Sequence, residues 1–99
     1  MIRHTVTFRL KHPAGSELER IFLADGKRIL GAIPGVQKFE ALRQVSAKNN
    51  FRHGYSMEFA GQAEYDAYDS HPEHVAFVRD RWIPEVEEFL EIDYVALPN

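Results

Sequence analysis

The chain predicts an α+β domain of the ferredoxin-like βαββαβ type, one four-stranded antiparallel sheet with helices on one face. Three observations carry this prediction. Residues 2–10 alternate between apolar and polar side chains, the period of a strand with one buried face. The tracts "SELE" at 16–19 and "DSHPE" at 69–73 have the chemistry of helix starts. Between them, two alternating apolar runs flank the polar stretch "SAKNNFRHG" at 46–54, which reads as a hairpin loop.

Each element follows in order. Ile2, His4, Val6, Phe8 and Leu10 share one side of the first strand, and Arg3, Thr5, Thr7 and Arg9 share the other. His4 is the polar exception on the apolar side. "HPAG" breaks the strand, and Ser16 and Glu19 stand at capping-box spacing before a helix whose apolar stripe is Leu18, Ile21, Phe22, Ile29 and Ile33. Asp25 and Gly26 interrupt that stripe, and a glycine in a helix interior costs about 1 kcal/mol relative to alanine. "IPG" at 33–35 stops the helix, because proline cannot continue it and glycine frees the turn.

Residues 36–46 read as the second strand, with Phe39, Ala41 and Val45 on one side. Residues 55–59 form the return strand, with Tyr55, Met57 and Phe59 alternating. A helical segment from Gln62 to Tyr68 is interrupted at "DSHP" and restarts near Pro72, with Val75, Val78 and Trp82 on one face. Pro84 is expected to kink or restart this helix, since an interior proline removes a hydrogen bond and clashes with the preceding turn. "EIDYVAL" at 91–97 closes as the fourth strand.

A length of 99 residues makes a single domain over 1–99. Hydrophobic residues are 44% and charged residues 27%, the balance of an ordinary globule rather than a disordered chain. A net charge of −3 offers no basic field for phosphates, so nucleic acid is not an expected partner. Cysteine is absent, which removes disulfides, thiol nucleophiles and thiolate-held metals. The start, "MIRHTVTFRLK", is too short and too charged for a signal peptide, and no apolar run approaches the ~20 residues that span a bilayer. A cytoplasmic protein without a membrane partner is expected. The open sheet face is only partly polar, because Val36, Leu42, Val95 and Leu97 add apolar area to it. Pairing two such faces across a two-fold axis would cover both sheets, so a homodimer is expected.

Chemistry concentrates in two places. His4 sits amid an apolar strand face, where it is either a hydrogen-bonded core residue or a neutral imidazole kept ready to accept a proton. "YDSHPEHVAF" at 68–77 carries Tyr68, His71 and His74. Asp69, Ser70, Pro72 and Glu73 explain much of that stretch as a helix start, with no function required. In one unbroken helix, Tyr68 and His74 would point about 120° apart. The residue before a proline is pushed out of the helical region, which places a bend at His71 and lets the phenol and the second imidazole converge. No metal is expected: histidines three apart match no zinc signature with nameable further ligands. No phosphate loop or serine triad is identifiable by spacing.

The segments "IRHTVTFRLK", "IPGV", "HPEHVAF" and "DYVAL", in that order over nearly the whole chain, resemble the stress-responsive dimeric α/β-barrel (Dabb) family, to which the plant olivetolic acid cyclase is related. The resemblance implies that the ferredoxin-like unit pairs through its sheets into a dimeric α/β barrel. It also implies chemistry without metal or cofactor, with His4, Tyr68 and His74 as catalytic residues and His71 at the binding site; Val78 and Trp82, on the helix face that His74 borders, are expected to join His71 there. The expected function is a stress-responsive barrel homodimer with a small-molecule pocket, performing acid–base, cyclase- or lyase-like chemistry on a keto substrate. The alternative is a non-catalytic stress-response or assembly protein whose histidines are structural. Fold alone does not confer enzyme status.

Overall fold

The computed structural model describes residues 1–98. Its strands are β1 (Ile2–Leu10), β2 (Gln37–Arg43), β3 (His53–Phe59) and β4 (Val86–Tyr94). They form one antiparallel sheet in the order β2-β3-β1-β4, the expected ferredoxin-like topology. Helix α1 (Glu17–Gly31) and the pair α2 (Gln62–Ser70) and α3 (Pro72–Phe77) contribute to the core beneath the sheet. A π-helical turn (Val78–Trp82) and the single turn α4 (Ile83–Glu85) lead into β4. No helix of the described residues is long and apolar enough to cross a membrane.

Alternation in β1 puts His4, Val6, Phe8 and Leu10 on the buried side. Tyr55, Met57 and Phe59 of β3 join them, each at most 1% exposed. Phe8 is the hub, with its ring 4.9 Å from those of both Tyr55 and Trp82. Burying a side chain of this size is worth ~1.5–3 kcal/mol, so a few such residues dominate a core this thin.

The N-cap of α1 is as expected on one side and different on the other. The Ser16 hydroxyl accepts from the Glu19 amide at 3.3 Å, but the Glu19 carboxylate turns back to the Gly15 amide at 2.9 Å. The buried face of α1 is Glu19, Phe22, Gly26 and Leu30, with Ile33 buried just after the helix. Leu18 and Ile21, expected in the stripe, are exposed. Steps of four from Phe22 to Leu30 set the inward line, and Gly26 lies on it because Tyr55 occupies the space its side chain would take. A Cβ there would stand 2.2 Å from the Tyr55 hydroxyl oxygen.

The second strand ends at Arg43 rather than 46, and Val45 is exposed beyond it. Gln44 turns the chain by donating its side-chain amide to the Phe51 carbonyl at 2.6 Å. A bulge near Lys38, which has φ 51°, adds one residue to β2 and keeps Phe39 over Tyr55.

The largest correction concerns the C-terminal third. Strand β4 begins at Val86, not at 91, and ends at Tyr94, so Val95 and Leu97 lie exposed past its end. The Ile83 amide bonds to the Val78 carbonyl, five residues back, and the ring of Pro84 follows at once. A proline crowds the carbonyl four residues before it, and widening the turn to π spacing accommodates that crowding. Phe77, at the end of α3 just before the widened turn, is buried, and Val75 is exposed. On the outer sheet face, Leu42, Leu90, Ile92 and Tyr94 are exposed and surround Thr5 and Thr7. Val36, expected there, instead packs against the core.

Candidate active site

His71 ends α2 in an extended conformation, with φ −63° and ψ 136°, as a residue before proline should. Its Nδ1 accepts from the Glu73 amide at 3.1 Å, so His71 caps α3. That role faces the helix junction, and His71 does not line the cavity described below. The bend it creates brings the rings of Tyr68 and His74 to 4.5 Å. In the neutral ring, His74 Nδ1–H donates to the Asp69 carbonyl at 2.9 Å, since a carbonyl only accepts. Nε2 is left as the unprotonated nitrogen, the form a general base requires.

His4 reaches the same space from β1, with its ring 6.1 Å from that of Tyr68. Its Nδ1 lies 2.6 Å from Asp93 Oδ1, and the Tyr65 hydroxyl donates to Asp93 Oδ2 at 2.8 Å. The Asp93 carboxylate accepts both hydrogen bonds, so in the neutral ring of His4 the proton sits on Nδ1. Asp93 stands directly opposite His4 in the β1–β4 ladder, which is why the two side chains meet.

A cavity of about 360 Å³ lies between the sheet and the bent helix pair. His4, Tyr68 and His74 line it together, and Val78 and Trp82 form part of its apolar wall. Tyr68 is 2% exposed, and no group among the described residues hydrogen-bonds its hydroxyl. Burial first, then the carboxylates of Asp69 and Glu91, push its phenol well above the ordinary tyrosine range. It therefore stays protonated and able to donate. Burial, followed by the Asp93 hydrogen bond, raises Tyr65 in the same way. A broader hollow of about 810 Å³ beside the 44–53 loop includes Arg9, Arg43, Arg52 and His53 but none of His4, Tyr68 and His74. The smaller cavity is where titratable groups and apolar walls converge, so it is the candidate site.

Sequence reasoning missed Tyr65, Glu91 and Asp93. A signal for the last two was present. In "FLEIDY" at 89–94, Phe89, Glu91 and Asp93 alternate with Leu90, Ile92 and Tyr94, so a strand places both acids on the face that His4 shares. Among the described residues, no group of three or more His, Asp or Glu side chains is placed to hold a metal ion.

The Dabb family model, the stress responsive A/B barrel domain, matches residues 2–96. No curated relative matches the chain. Among solved structures, a Dabb family protein with a ferredoxin-like fold from Mesorhizobium loti is 63% identical, with a TM-score of 0.97 over 98% of this chain and 97% of that one. A dimeric ferredoxin-like protein of unknown function from Thermobifida fusca is 19% identical, with a TM-score of 0.78 over 96% of this chain and 90% of that one. A hydroxynitrile lyase from Passiflora edulis is 17% identical, with a TM-score of 0.83 over 99% of this chain and 94% of that one. The last two likenesses are of fold alone. Fold, element order and the match over nearly the whole length agree, and this chain belongs to the stress responsive A/B barrel (Dabb) domain family.

Proposed function

We propose that the protein is a cytoplasmic homodimer in which each subunit binds a small carbonyl compound in the 360 Å³ cavity and transfers protons on it without a cofactor. One observation carries this reading: His4, Tyr68 and His74, distant in the chain, line a single cavity with apolar walls. In the proposed step His74 Nε2 takes a proton from the carbon beside the carbonyl. The Tyr68 hydroxyl donates a hydrogen bond to the developing enolate oxygen, and its burial keeps that proton in place. His4, oriented by Asp93 and Tyr65, returns or relays the proton. General acid–base help of this kind is worth ~10²–10⁴-fold, and the cavity must also hold the substrate in a reactive pose. A keto substrate suits this set, and the distant lyase likeness adds no substrate of its own. The homodimer is supported by the apolar outer sheet face and by neighbours described as dimeric.

The test is His74→Ala, titrated with β-keto compounds and assayed for exchange of the proton beside the carbonyl. Exchange should fall by at least ~10²-fold. Unchanged binding and exchange would remove His74 from the mechanism. A structural reading draws on one specific observation, that the His74–Asp69 bond ties α3 to α2. It expects the same variant to lose thermal stability with no effect on any ligand.

A further inference from the structure

Resting on the pocket reading above, we infer that the cavity selects cationic, amine-bearing carbonyl compounds over neutral and anionic ones, through the Glu91 and Asp69 carboxylates that line it together with the Trp82 and Phe89 rings. The lining contains Glu91 and Asp69 and, among the described residues, no lysine or arginine. Glu91 stands opposite Val6 in the β1–β4 ladder, which turns its side chain to the covered face of the sheet. Phe89 is two residues before it on the same face, and its ring packs edge-on against Trp82 at 5.6 Å.

Carboxylates beside aromatic faces form an ammonium site, because both the charge and the ring quadrupole attract a cation. Glu91 and Asp69 are both exposed, so their field acts through solvent and is weakened by salt. The same field disfavours a carboxylate or phosphate on the ligand. Tyr68 points independently to an occupant, since it is 2% exposed, lines the cavity, and has a hydroxyl with no hydrogen-bond partner among the described residues. A ligand carbonyl satisfies that donor, while an ammonium group satisfies the acidic side. The substrate class is thereby narrowed from ketones in general to amino ketones and their quaternary analogues.

Trp82 is the only tryptophan of the sequence and lines the cavity, so its fluorescence reports occupancy directly. Three probes sharing a phenyl ketone decide the matter: phenacyltrimethylammonium, its uncharged isostere neopentyl phenyl ketone, and anionic benzoylpropanoate. The cation is expected to bind roughly tenfold more tightly than the isostere, with the anion weakest. Glu91→Gln should bring the cation close to the isostere while leaving the isostere's Kd unchanged, and Asp69→Asn should do so in part. Added salt should weaken only the charged probe's advantage in the unmodified protein, a readout that needs no variant to fold. If the isostere or the anion binds as tightly as the cation, the charge preference is wrong and the pocket stands. A preference that survives both substitutions overturns the carboxylate assignment. If none of the three alters Trp82 fluorescence, this inference and the pocket reading fall together.

Discussion

Gly26 shows how one residue can look unfavourable in the sequence and be required by the fold. Helix propensity alone says that alanine there gains about 1 kcal/mol. The Tyr55 ring occupies that space instead, and its hydroxyl donates to the Leu23 carbonyl of the same helix at 3.2 Å. Overpacking a well-filled core typically costs ~1–3 kcal/mol, which outweighs the propensity gain. Gly26→Ala is therefore expected to lower the urea midpoint of unfolding, and a rise would show that Tyr55 moves aside freely. At the candidate site, the bend at His71 was legible because proline restricts its predecessor whatever the surroundings. That Asp93 holds His4 was not legible, because a cross-strand partner depends on register, and the start of β4 was hidden in a run read as helix.

At the scale of elements, the junction of α2 and α3 sets the site. Pro72 keeps His71 extended, and that bend is what aims Tyr68 and His74 at each other. Pro72→Ala removes the restriction and lets the two helices join across His71. Ligand binding read by Trp82 fluorescence is then expected to weaken by tenfold or more, while global stability changes by less than about 1 kcal/mol. Equal losses of binding and stability would mean that the bend serves folding first. The π turn has a comparable role on the other side, since it carries Trp82 towards Phe8 and Phe89. Periodicity assumes a constant 100° step, and a widened turn breaks that assumption, which is why Val75 was misplaced and Phe77 overlooked.

For the whole molecule, carboxylates tie separate elements together. Arg81 and then Arg28 hold Asp25 below its usual range. Burial opposes the ionisation of Glu85 and Glu19. For Glu85 the hydrogen bonds from Arg81 and His12 outweigh it, and for Glu19 the hydrogen bond from the Gly15 amide and the His53 ring nitrogen 3.2 Å away do. Groups with depressed folded pKa values contribute stability above the unfolded value, about 4 for carboxylates, and lose it as pH falls through the folded value. The melting temperature should thus hold steady around neutral pH and fall below about pH 4, and Glu85→Gln should flatten that acid limb. A melting temperature that falls between pH 7 and 5 would assign the transition to other groups. The outer sheet face makes its own prediction. Ile92→Asp, which places a charge among Leu42, Leu90 and Tyr94, should convert the proposed dimer to a monomer in sedimentation experiments. It should also remove any concentration dependence of melting. A variant that remains dimeric would move the interface elsewhere.

By itself the sequence determined the order of elements, the alternating core of β1 and β3, the break before Pro72 and the absence of thiol chemistry. These follow from local rules, namely side-chain period, proline sterics and composition, which act over a few residues. Tertiary structure alone decided the start of β4, the use of Gly26, and the partnership of His4 with Asp93 and Tyr65. Each of those depends on groups far apart in the chain arriving within a few ångströms of one another, and neither strand register nor side-chain packing is written in any local pattern.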